Sequence, residues 1–351
     1  MGIFSGFDPL FSALESLPSV SATSFYIREA LAATGRWSRL RARFSAPPRL
    51  AQPPSPFVEF RHEALSREVL TAARMVPQSL IILSAAENQL GSVFAMAPKE
   101  IRSRIVACFH QPPSWMRLHW RDHKALADLA AVVCLGSEQR DYFKTVTYSP
   151  VVTIKHGVVM DFFTPSLSPS SSTPRLLFVG QWLRDFETLA ESLPLIWQSR
   201  PDVELDCVIP TAARHSPALL RLARDSRVHW HAGLSPERLR DLYHQSTLLF
   251  LPLIDAVANN AIVEAMSCGL PLVSSRVGGI SEYVPAQAGS LCPPGQAGAH
   301  ATAVLDWLEN PLKRAAARRE GRNFVESRLN WNEIAAHLTS QINSLHLLHN
   351  S

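Results

Sequence analysis

The chain of 351 residues reads as an α/β protein of two domains, each a parallel sheet with helices on both faces. Three observations predict this. The length exceeds what one hydrophobic core ordinarily serves. Short apolar runs that end in Gly or polar turns alternate with stretches of helical spacing. A Ser/Pro stretch, TPSLSPSSSTP at 164–174, divides the chain and has the composition of an exposed linker.

The C-terminal half is the more regular. RLLFVG (175–180) predicts a strand closing on glycine, RDFETLAESLPLIWQSR a helix, VELDCVIP a strand and PERLRDLYHQS a helix. TLLFLPL, NNAIVEAMSC and PLVSS continue as strand, helix and strand. Ligands of such sheets sit outside the carboxyl ends of the strands. In the first half SLIILSA (79–85), RIVACF (104–109), AAVVCLG (130–136) and PVVTIKHG (150–157) read as strands. The chain opens directly on SGF and a helical pattern, so this domain lacks its usual first strand or starts late. APPRLAQPPSP (46–56) loops out of it.

Composition narrows the function. A net charge of +4 suits an anionic ligand and gives no patch dense enough for a nucleic-acid backbone. The five cysteines are scattered without a CxxC pair, so neither a disulfide frame nor a zinc site is indicated, and a reduced, cytoplasmic protein is expected. MGIFSGFDPLF has no basic region ahead of an apolar core, and no run of about 18 apolar residues occurs, so neither export nor a membrane span is expected. LKRAAARREGR (312–322) sets cations along a helix. That is a solvated face or, at the inner membrane face, a surface for peripheral contact with anionic lipid.

Four stretches carry candidate chemistry. In DAVANNAIVEAMSCGLPLVSSRVGG (255–279) the polar Asn259, Asn260 and Glu264 lie in apolar surroundings. A buried acid is costly without a hydrogen-bond partner, so Glu264 either binds a ribose or caps a neighbouring helix. In VGQWLRDFETL the Gly180 turn brings Arg184 beside a helix start that Asp185 can cap, which makes an anion site or a surface ion pair. In CFHQPPSW, His110 follows a strand and is either a ligand of the crevice or structural; Trp115, in WMRLHWRDH, lines a sugar site or covers the core. Lys155 and His156, ahead of Gly157, reach the cleft between the domains or are solvated.

Taken together, KHGVVMDFFTP, FVGQWLRDFETL, VHWHAGLSPERLRDLY and ANNAIVEAMSCGLPLVSSRVGGISEYV resemble the retaining glycosyltransferases of family 4, which have the GT-B fold of two Rossmann-like domains facing across a cleft. The resemblance is close over 154–284 and loose before it, through SGFDPLFSAL, CFHQPP and LGSEQRDYF. It implies an acceptor-side domain (1–163), the linker, a nucleotide-sugar domain (175–330) and a C-terminal helix (331–351) packing back on the first domain. It also implies transfer of a hexose from a nucleoside-diphosphate sugar to a hydroxyl of a glycan, lipid or small molecule, with retention and with neither metal nor cofactor. By this resemblance Glu264 matches the second glutamate of an E-x7-E motif that holds the ribose. Gly180 and Arg184 fall in the diphosphate loop, Asn259 and Asn260 lie at the donor, His110 is near the transferred sugar, and Gly6 and Trp115 are on the acceptor side.

The chain departs from the pattern at Ala256, where the first glutamate belongs. Asp255, one residue earlier, either replaces it or caps the following helix. Gln181 stands where arginine is common, and Arg184 has no lysine partner. The rival reading is a degenerate GT-B protein that binds nucleotide or glycan without turnover. A nicotinamide oxidoreductase would need a G-x-G-x-x-G after a strand, and none is present.

Overall fold

The computed structural model describes residues 7–21, 63–120, 123–166 and 173–349. Gly6, the Pro-rich stretch at 46–56 and residues 167–172 of the Ser/Pro stretch lie outside the described residues.

Helix α1 (Asp8–Glu15) comes first, and α2 (Glu63–Met75) leads into a parallel sheet of β1 (Ile81–Leu83), β2 (Ile105–Cys108), β3 (Ala131–Cys134) and β4 (Val151–Thr153), in that spatial order. The connections are α3 (Ala86–Met96) with α4 (Lys99–Arg102), then α5 (Pro113–His119) and α6 (Ser137–Val146). Because successive strand residues face opposite sides, Ile105 and Ala107 join Leu90, Val93 and Met116 in one core while Val106 and Cys108 enter another. All four predicted strands are found.

The second sheet runs β10-β9-β8-β5-β6-β7, all parallel. From β5 (Arg175–Val179) the chain steps outward through α7 (Phe186–Ser199), β6 (Glu204–Val208), α8 (Pro217–Leu222) and β7 (Val228–His231). It returns by α9 (Pro236–Gln245) to β8 (Leu248–Leu251) beside β5, then steps the other way through α10 (Asn260–Ser267), β9 (Leu272–Ser275) and β10 (Gly289–Cys292). Right-handed crossovers in opposite directions put α7 and α8 on one face and α9 and α10 on the other. The order reverses between β5 and β8, so the crevice at their carboxyl ends is the switch point where a ligand fits.

The alternation expected after the linker omits α8 and β7. Strand β7 reads VHWH and is buried only at Val228, so it carries no apolar run for a sequence reading to find. The closing helices are α11 (Ala297–Glu309), which packs on α7, then α12 (Pro311–Arg328) and α13 (Trp331–His349). Helix α13 crosses back and buries Trp331, Ile334, Ala335, Leu338 and Ile342 with Phe7, Leu10 and Leu14 against the first sheet.

The cations of 312–322 are not simply a solvated face. Arg314 donates to the carbonyls of Trp307 (2.6 Å) and Leu308 (2.7 Å) at the end of α11, and Lys313 pairs with Asp306 over the Trp307 ring. Arg322 donates to the carbonyls of Phe163 and Ser267, both at 3.0 Å, so it ties the segment after β4 to α10. The five cysteines are free and buried. Among the described residues, no helix is long and apolar enough to cross a membrane.

Candidate active site at the switch point

On the C-terminal side, Gly180 ends β5 with φ +91°, a conformation open to glycine, and a Cβ there would lie 2.9 Å from Arg184 Nη2. The loop curls back so that Arg184 Nε donates to the Val179 carbonyl (2.8 Å) and Nη1 to the Trp182 carbonyl (3.0 Å). Arg184 is therefore not the surface ion pair considered from sequence; its Nε and Nη1 brace the loop. Burial lowers its pKa to about 10, opposed by Tyr243 and Glu264, so it remains cationic at neutral pH. Asp185 caps α7 as expected, accepting from the Thr188 N–H at 3.0 Å.

Glu264 lies in α10, in which every residue from Ala261 to Ser267 is buried. Its Oε2 accepts the Tyr243 hydroxyl at 2.8 Å, so it caps no helix. Burial pushes the carboxyl up to about 8, with the Tyr243 hydrogen bond and then the Arg184 charge pulling it down. The cap of α10 is Asn259, whose side chain accepts from the Ile262 N–H at 3.4 Å, and Asn260 is its first helical residue. That corrects the capping role considered for Asp255, whose Oδ1 accepts from the Ala256 N–H at 2.8 Å. Its Oδ2 accepts from the Ser114 hydroxyl of α5, across the cleft. Glu138 also faces Asp255: its carboxyl is raised by burial and by that like charge, while Arg117 lowers it.

On the N-terminal side, His110 Nε2 pairs with the Ser84 carbonyl at 2.6 Å, and Phe7 meets the imidazole edge-on at 4.4 Å between centroids. Glu87, in the first turn of α3, accepts from the backbone N–H groups of His110 and Gln111, the latter at 2.7 Å. Gln139 donates to the carbonyls of Phe109 (3.1 Å) and Gln111 (3.0 Å). Gln111 is thus fixed from two sides, and its Oε1 accepts the Trp182 indole N–H at 3.0 Å across the cleft. Trp115 is half-buried: it packs against the core of the first sheet and also stands at the cleft, 6.5 Å from Trp182 and 5.0 Å from His119.

At the base of the cleft neither Lys155 nor His156 is merely solvated. Lys155 pairs with Glu282 at 2.6 Å, and Glu282 also accepts from the N–H and hydroxyl of Ser137. His156 is buried and held neutral, its pKa pushed down to about 3 by burial, with His110 adding to the effect. The structure thus gathers Gly180, Arg184, Asn259, Asn260 and Glu264 at the end of one sheet, and His110 and Trp115 opposite, with Asp255 spanning the gap. Gln111, Ser114, Trp182, Tyr243 and Glu282 were not singled out from sequence. Trp182 and Gln111 lie inside the motifs already quoted, but their pairing joins residues 71 apart and no local pattern announces it.

Residues 173–310 match the family model described as Glycosyl transferases group 1. A GDP-mannose-dependent monoacylated alpha-(1-6)-phosphatidylinositol monomannoside mannosyltransferase of Corynebacterium glutamicum is 24% identical over 167 residues, covering 45% of this chain and 43% of that protein. A glycogen synthase of Mycobacterium tuberculosis is 27% identical over 186 residues, covering 50% and 43%. The chain thus spans under half the length of these relatives. Among solved structures, Anabaena HepE in complex with UDP-glucose superposes with a TM-score of 0.66 at 17% identity, covering 88% of this chain and 89% of that one.

Proposed function

We propose, from the premise that residues 173–310 belong to the group 1 glycosyl transferases and that the chain has their GT-B fold, that it transfers a hexose from a nucleoside-diphosphate sugar to a hydroxyl acceptor with retention of configuration. The observation that carries this reading is the buried Glu264 carboxyl group beside Arg184 at the switch point, where a ribose and a diphosphate would meet an acceptor side chain and a cation. The amides at the starts of α7 and α10, with Arg184, supply the positive potential that a leaving diphosphate needs, so no metal is required to neutralise it. The departing phosphate takes the proton of the incoming hydroxyl. His110 faces the transferred sugar and Trp115 the acceptor.

The rival, binding without turnover, is favoured by one feature: Asp255, the nearest acid to the missing first glutamate, is engaged by Ser114. A thermal-shift panel of UDP, GDP and ADP with their sugar conjugates tests the first reading, since a ligand at a hundred times its Kd stabilises by about 2.7 kcal/mol. A flat panel overturns the transferase reading and leaves the rival as a glycan binder; binding without donor turnover, with any acceptor tried, also selects the rival. Arg184→Ala should weaken the chosen diphosphate about tenfold more than its nucleoside. Equal loss for both would mean that Arg184 acts through Glu264 rather than on the phosphates.

A further inference from the structure

Tyr243, on α9, is 1% exposed and packs edge-on to Phe163 at 6.0 Å. Phenylalanine would fill that space equally well, so what the hydroxyl adds is its 2.8 Å hydrogen bond to Glu264 Oε2. Among the described residues this is the one hydrogen bond made to the Glu264 side chain, and it leaves Oε1 for another donor. Three groups bear on the carboxylate: Tyr243 from α9, Arg184 from the Gly180 loop, and Cys268 at the end of its own helix. Arg184 is in turn held by the carbonyls of Val179 and Trp182. The geometry is a buried chain from α9 through α10 to the Gly180 loop.

We infer that Tyr243 is a positioning residue of the donor site, its hydroxyl fixing Glu264 Oε2 so that Oε1 accepts a ribose hydroxyl of a nucleoside diphosphate. This rests on the glycosyltransferase reading above. The ionised carboxylate is the stronger acceptor for a ribose hydroxyl, and the tyrosine hydrogen bond favours that form, against burial, which raises the pKa. Removing the hydroxyl therefore loosens the orientation of Glu264 and lowers its ionised fraction at neutral pH.

The test is calorimetric titration of the full chain from pH 6 to 9.5, with whichever of UDP, GDP or ADP binds it. The wild-type affinity should rise with pH through the ionisation of Glu264. Tyr243→Phe should bind about tenfold more weakly at pH 7 and shift that rise upward by about one pH unit. In a Glu264→Gln background the same change should alter affinity less than about twofold, a non-additivity that a merely structural tyrosine would not produce. Should Tyr243→Phe fail to fold, 3-fluorotyrosine at position 243 keeps the packing and strengthens the donor, and should shift the rise to lower pH. Unchanged affinity and pH profile in these proteins, or equal effects in both backgrounds, would overturn the inference while leaving wild-type nucleotide binding intact. Absence of binding to the wild type would instead remove the glycosyltransferase reading and this inference with it.

Discussion

A carboxyl group with a pKa of about 8 is mostly protonated at pH 7, yet the role assigned to Glu264 requires it to accept hydrogen bonds from a ribose. For Glu264 to meet the ribose as a charged acceptor, nucleotide binding has to displace that proton. Titration of a nucleoside diphosphate at pH 7 in buffers of different ionisation enthalpy should show release of close to one proton, and none from Glu264→Gln. Equal proton counts in both proteins would mean that Glu264 binds in the protonated form or stands apart from the ligand. The pKa sets the pH dependence of stability too. Because the native carboxyl titrates above its unfolded value of 4.5, the native state binds more protons than the unfolded one between roughly pH 4.5 and 8, so this group makes stability fall as pH rises through that window. Glu264 itself was readable from sequence, as an acid in an apolar helix. Tyr243 was not, because its helix shows only the spacing of a packed face, and its bond to a residue 21 positions away depends on the crossing of two helices.

Between residue and domain stands the segment from β8 to α10. Sequence reading placed β8 and α10 correctly, since their apolar runs are bounded by Pro252 and by the two asparagines. The sequence reading offered Asp255 as the cap of α10, and the structure puts Asn259 there instead. The reason is distance along the chain: Asp255 leaves β8 four residues before the cap and is turned to Ser114. Asn259→Ala should accordingly cost about 0.5–2 kcal/mol in urea denaturation, the usual loss for a helix cap. Asp255→Asn should leave stability within about 0.5 kcal/mol of wild type, because the residue is part-exposed and an amide still accepts from Ser114. The reverse pattern would restore Asp255 as the cap. Strand β7 marks the limit of this kind of reading, for an edge strand that carries His229 and His231 lacks the apolar run by which its neighbours were found.

The two sheets are held together by contacts of two kinds. At the mouth of the cleft Ser114 meets Asp255 and Trp182 meets Gln111, all part of polar or half-exposed surfaces except Gln111. At the base, Tyr283 is fully buried; its hydroxyl accepts from the His156 N–H at 2.9 Å and donates to the Leu135 carbonyl at 2.7 Å, closing two backbone groups of the first domain with one side chain of the second. Nearby, α13 passes so close that a Cβ at Gly157 would lie 2.6 Å from the Trp331 ring, which fixes the first domain against the returning helix. An unpaired buried polar group costs about 1–3 kcal/mol, whereas a lost contact at a solvated surface costs little. On these costs the base should hold more firmly than the mouth, and any opening of the cleft should start at the mouth. Tyr283→Phe should lower the melting temperature, because it leaves the His156 N–H and the Leu135 carbonyl without their partner. The Ser114→Ala/Trp182→Phe pair should leave the melting temperature nearly unchanged but enlarge the radius of gyration in solution scattering. Adding the bound nucleoside diphosphate should then compact the double variant more than the wild type, since only the variant starts open. If Tyr283→Phe melts normally, or if the double variant scatters like the wild type with and without nucleotide, the division of the interface into a firm base and a weaker mouth is wrong.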